Sequence, residues 1–183
     1  DDLPDVLWSG ALDTIEELTE DECQKILDIY DSSLELGADG EPVAIDETEM
    51  DLGGLTAQIL LCPGHTKGSL CVYVKERKLL LPGDDMNPTT WIFFPECESL
   101  GVLKQSLEKL SVLPFEQVLC PHHDRLLPRS EFDAFLSGIT PENVKATSEA
   151  AFHLWEGKKV YACQPMEGFT LCYDADKLPE DWK

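Results

Sequence analysis

Three apolar runs in this chain each break off into side chains that bind protons or metals. ILLCPGH ends at His65, LLLPGDD runs into Asp84 and Asp85, and QVLCPHH ends at His122 and His123. Leu79–Leu81 is too continuously apolar to face water on either side, so it reads as a strand buried on both faces. Pro63-Gly64 and Gly83 end their runs sharply and let backbone approach backbone. Strand ends are where side chains converge while the sheet holds them still. The pattern therefore requires a sheet that presents His, Asp and His from neighbouring strand ends.

The remaining elements fit an α/β organisation in a single domain over residues 1–183. TEDECQKILDIYDSSLELG predicts a helix with a capping box at Thr19 and Glu22, and Gly37 as its stop. The stretch from Val43 to His65 predicts short antiparallel strands turning at Gly53-Gly54, and SLCVYV-KERK-LLL predicts a hairpin. SLGVLKQSLEKLSVLP places Leu100, Leu103, Leu107 and Leu110 on one helical face. RSEFDAFLSG and TPENVKATSEAAFHLWEG predict two further helices, with Ser130 and Thr140 as N-caps and Pro141 at the first helical position. KKVYACQPMEGFTLCYD closes as a hairpin.

Composition removes several function classes. There are 36 acidic residues against 14 Lys plus Arg, a net charge of −22. Such a field repels phosphate backbones and anionic lipid, so neither nucleic acid nor a membrane is an expected partner. No apolar run is long enough to span a bilayer as a helix. Seven cysteines without a CxxC pair argue against a disulfide framework or a zinc ribbon and suit a reducing, cytoplasmic setting. Cys62 and Cys120 stand beside the histidines, but strand periodicity turns each away from them.

Imidazole and carboxylate at converging strand ends suit divalent transition metals, above all zinc, with iron or manganese as alternatives. PGHTKGS, then an apolar strand into GD, then an apolar strand into PHH, resembles the second half of the metallo-β-lactamase superfamily, in its glyoxalase-II-like branch. The resemblance covers Val43 to Asp124. It implies an αββα sandwich and a dinuclear metal site that activates water against an ester, thioester or amide-like bond. Carried over by position, His65 is a ligand of the first metal. Asp84 is the bridging carboxylate and catalytic residue, and His123 is a ligand of the second metal. His122 stands where the family motif has glycine, and Asp85 and His122 are neighbours of the ligands.

One departure matters more than any match. The family's first motif, His-x-His-x-Asp-His, is absent, because the only histidines are 65, 122, 123 and 153. His65, Asp84 and His123 alone leave about two ligands per metal where zinc needs three or four. The expectation is therefore an incomplete, C-terminal portion of the fold that lacks its N-terminal half, with low metal occupancy. A partner chain or self-association would then supply the remainder. The function expected for the intact protein is metal-dependent hydrolysis of a small-molecule substrate. The alternative is a non-catalytic binding or assembly module of the same fold. Trp91, Phe93 and Phe94 are candidates for a pocket wall or plain core. Lys67 reads as a solvated lysine and His153 as a packing residue.

Overall fold

The structure, a computed structural model, describes residues 47–145, 148–150 and 159–182. The helix expected over 19–37 and His153 lie outside the described residues. Strands β1 (Thr48–Asp51) and β2 (Thr56–Leu61) pair antiparallel across the Gly53-Gly54 turn. Both glycines there have positive φ, and the Asp51 carboxylate accepts the Gly53 N–H at 2.9 Å. Strands β3 (Leu70–Val74) and β4 (Leu79–Leu81) form the expected hairpin over Lys75–Lys78. Glu76 in that turn accepts from both the backbone N–H and the hydroxyl of Thr56, tying the hairpin to β2.

Alternation along these strands sorts the side chains cleanly. Leu60, Cys71, Tyr73 and Leu80 face one core, while Ala57, Ile59, Val72, Val74, Leu79 and Leu81 face another. All ten are buried, so β4 is covered on both faces, as its unbroken apolar run requires. The sheet is completed by β6 (Gln117–Val118) and β7 (Leu127–Pro128), giving the order β1-β2-β3-β4-β6-β7. β2 is antiparallel to β3, β3 is antiparallel to β4, and β4 is parallel to β6. Strands β2, β4 and β6 therefore run the same way, and their C-terminal ends share one edge.

Helix α1 (Leu100–Ser111) makes the crossover that a parallel β4–β6 pair needs. Ser99 caps it, accepting the Val102 N–H, and Leu100, Leu103, Leu107 and Leu110 are fully buried on the predicted face. Helix α2 (Arg129–Gly138) packs between β6–β7 and strand β9 (Val160–Met166). Its Phe132 meets Phe115 edge-on at 5.1 Å, and its Phe135 meets Phe169 at 5.8 Å. A second sheet has the order β5-β10-β9-β8, with β5 at Thr89–Ile92, β10 at Phe169–Asp174 and β8 at Ser148–Ala150. One continuous core joins this sheet, both helices and the first sheet.

Three local expectations differ from the structure. The N-cap of α2 is Pro128, with Ser130 inside the helix. Helix α3 covers Pro141–Lys145, capped by Thr140 as expected, and Ser148–Ala150 form strand β8. Pairing of β8 with β9 overrides the helical propensity of that segment. The stretch after Asp84 contains a strand not expected from sequence, β5, which pairs parallel with β10.

Helix α2 ends hard against β9. A Cβ on Gly138 would lie 1.8 Å from the Pro165 carbonyl oxygen, a backbone atom that has no room to yield. Gly138→Ala is expected to cost about 1–3 kcal/mol or more. Gly68→Ala, where a Cβ meets nothing within 4 Å, should leave the urea midpoint close to that of the parent. Equal midpoints for the two variants would contradict this packing.

Candidate metal-ligand edge

The PGHTKGS segment is a loop stitched to itself and pinned from outside. The Thr66 N–H donates to the Ser69 hydroxyl at 2.9 Å, and the Cys62 N–H to the Ser69 carbonyl at 2.8 Å. Ser106 of α1 donates to the Pro63 carbonyl at 2.7 Å, and the Glu98 N–H donates to the Gly64 carbonyl at 2.9 Å. These bonds explain the motif's spacing: the Thr and Ser close the loop, and the glycine lets it sit against neighbours. Lys67 is exposed, as expected of a solvated lysine.

His65 is held at two points. Its backbone N–H donates to Asp85 Oδ1 at 2.6 Å, and its ring Nδ1 lies 2.8 Å from the Trp91 carbonyl oxygen. A carbonyl can only accept, so Nδ1 carries the proton and Nε2 of the neutral ring keeps its lone pair. This is the arrangement by which proteins orient an imidazole for Nε2 ligation.

Asp84 and Asp85 share one 3-10 turn (Gly83–Asp85) and point to different environments. The Asp84 side chain is about half exposed, with Oδ1 accepting from Asn87 Nδ2 at 3.0 Å and His122 Nε2 standing 3.7 Å away. Asp85 is wholly buried. Burial pushes its carboxyl up to about 7, and the negative charge of Asp84 pushes the same way. The His65 N–H and the Ser69 hydroxyl pull it back.

After β6, His122 has φ of +58°, the left-handed region that glycine adopts freely. That geometry gives a physical reason for glycine at this place in the superfamily motif. The His123 side chain is mostly buried and stacks on Phe169 at 5.7 Å. Its Nδ1 faces the Arg125 N–H at 3.3 Å, while the Arg125 guanidinium donates to both carboxylate oxygens of Glu131.

Cys62 and Cys120 are both buried, and burial pushes the Cys120 thiol up to about 12. The six described cysteines form no disulfide among themselves. Trp91, Phe93 and Phe94 form a ring cluster with centroids 4.5–5.8 Å apart, with Phe93 in the core and the other two half-buried. The Trp91 carbonyl and Asn87, which orient His65 and Asp84, were not singled out from sequence. A backbone carbonyl leaves no trace there, although an Asn three residues after an acid in a turn is a usable cue.

His65, Asp84 and His123 thus follow the co-directional ends of β2, β4 and β6. Contact is made in pairs: His65 with Asp85, and His122 beside Asp84. Among the described residues, no group of three or more His, Cys, Asp or Glu side chains could hold a metal ion. The oriented His65 suits a metal, but the donors do not make a closed site for two ions. No helix among the described residues is long and apolar enough to cross a membrane.

No family model matches the chain. Among curated proteins, it is 30% identical over 129 residues to a hydroxyacylglutathione hydrolase of Rhizobium etli, covering 63% of this chain and 47% of the relative. It is 27% identical over 122 residues to one from Cereibacter sphaeroides, covering 64% of this chain and 47% of the relative. These likenesses, each over part of the chain, support a metallo-β-lactamase superfamily member. It spans about half the length of the curated relatives it matches. A solved metallo-β-lactamase from Pontibacter korlensis is 20% identical with a TM-score of 0.45, covering 64% of this chain and 55% of that one.

His122 tests the geometry at the superfamily's glycine position. A non-glycine residue in the left-handed region costs about 1–2 kcal/mol, partly offset in a Gly variant by the greater freedom of the unfolded chain. His122→Gly is expected to raise stability by up to about 1 kcal/mol, read as a higher denaturant midpoint. A clear loss would contradict the backbone conformation described.

Proposed function

We propose that this chain supplies one half of a metal-dependent hydrolase site, in a single metallo-β-lactamase-like domain whose remaining part comes from further chain or a partner. In this reading His65 and His123 are metal ligands, and Asp84 is the bridging carboxylate. The substrate is a small molecule with an ester, thioester or amide-like bond. The hydroxyacylglutathione hydrolase relatives favour a thioester. Zinc is the first candidate metal. The observation that carries the reading is the shared edge: the three residues follow three strands that run the same way, and His65 keeps Nε2 open. The described donors alone do not close around a metal ion.

That same observation favours a second reading, a binding or assembly module that keeps the sheet without a working site. Isothermal titration of the isolated chain with zinc separates the outcomes. The hydrolase-half reading expects at most one weakly held ion, lost in His65→Ala, and no thioester hydrolysis by the chain alone. Two tightly bound zinc ions per chain would overturn the incomplete site. Adding, in trans, a polypeptide bearing the superfamily's His-x-His-x-Asp-His motif should then raise zinc stoichiometry and bring hydrolysis. Neither change, despite a complex forming, would leave the module reading.

A further inference from the structure

Asp85 is buried at a place where burial is costly. Its side chain is inaccessible to solvent, and its Oδ2 has no hydrogen-bond partner among the described residues. A buried carboxylate with an orphaned oxygen weakens a fold relative to a neutral residue of the same shape. The surroundings are nevertheless built to receive it. Gly64 lacks the Cβ that would lie 2.6 Å from Asp85 Oδ1, so backbone and carboxylate close to a distance no other residue there would permit. Oδ1 accepts the next N–H along, that of His65, at 2.6 Å, a short bond of the kind an ionised acceptor makes. This bond joins the loop after β2 to the turn after β4, across the intervening strand β3. The far side of His65 is fixed by the Trp91 carbonyl at Nδ1. The imidazole is thus located by one bond at its backbone and one at its ring.

We propose that Asp85 is a positioning residue: its buried carboxylate anchors the His65 backbone so that the ring stays the Nδ1–H tautomer with Nε2 open. The use made of that open nitrogen rests on the hydrolase reading above, but the anchor itself is a property of the metal-free chain. Asp84 and Asp85 then divide the labour of the acidic pair. The exposed one faces the ligand edge, and the buried one holds the neighbouring loop in register with it.

The test is long-range imidazole nitrogen–proton spectroscopy of the full chain at pH 8, without metal, on the parent, Asp85→Asn and Asp85→Ala. The parent should show His65 as the Nδ1–H tautomer, with its backbone amide proton far downfield. Asp85→Asn keeps an accepting oxygen but loses the charge. It should hold the tautomer, move the His65 amide proton upfield, and leave the thermal midpoint unchanged or raised. Asp85→Ala should shift the ring towards a mixture of tautomers. An unmoved His65 amide in Asp85→Asn would overturn the proposal, whether or not the alanine variant folds. So would a parent ring protonated at Nε2. Zinc titration of the parent with the motif-bearing polypeptide reports separately: a silent His65 Nε2 would defeat the ligand assignment and leave the anchor standing.

Discussion

Burial of both faces of β2, β3 and β4 is the constraint on which the rest of the molecule depends. A three-stranded core with Leu60, Cys71, Tyr73 and Leu80 on one side and Ala57, Ile59, Val72, Val74, Leu79 and Leu81 on the other cannot meet water on either. One side is covered by α1 and α2, and α1 is long enough to carry the chain back to a parallel β6. Parallel addition of β6 then brings a third strand end to the edge already occupied by the ends of β2 and β4. Collecting His65, Asp84 and His123 on one edge is thus a by-product of hiding apolar surface.

The elements governed by periodicity were legible in sequence, and those governed by remote pairing were not. The α1 face, the Lys75–Lys78 hairpin and the Gly53-Gly54 turn each announce themselves within a dozen residues. The helix expected through Ser148–Ala150 failed because β9, not the local sequence, decides that segment. Strand β5 was missed for the same reason, since its partner β10 lies far along the chain.

Legibility at the site divides along similar lines. That His65, Asp84 and His123 follow neighbouring strand ends could be read from motifs, because the sequence writes side chains explicitly. Which of two consecutive aspartates faces inward could not, because that depends on how one 3-10 turn is rolled against Gly64. Nor could the carbonyl of Trp91, which any residue would supply. The sequence names the donors; packing decides their orientation.

The path of the chain after Asp84 carries a consequence for assembly. Between two neighbouring strands of the first sheet it departs to form β5 in the second, and then returns through α1. The carbonyl that orients His65 lies on that excursion, at Trp91, whose strand partner is Cys172, about eighty residues downstream. Closing so long a loop is slow and entropically costly. The imidazole would therefore acquire its final setting late in folding, once the closing hairpin has docked. A ribosome-bound chain still lacking that hairpin would hold the histidine without its ring anchor in place.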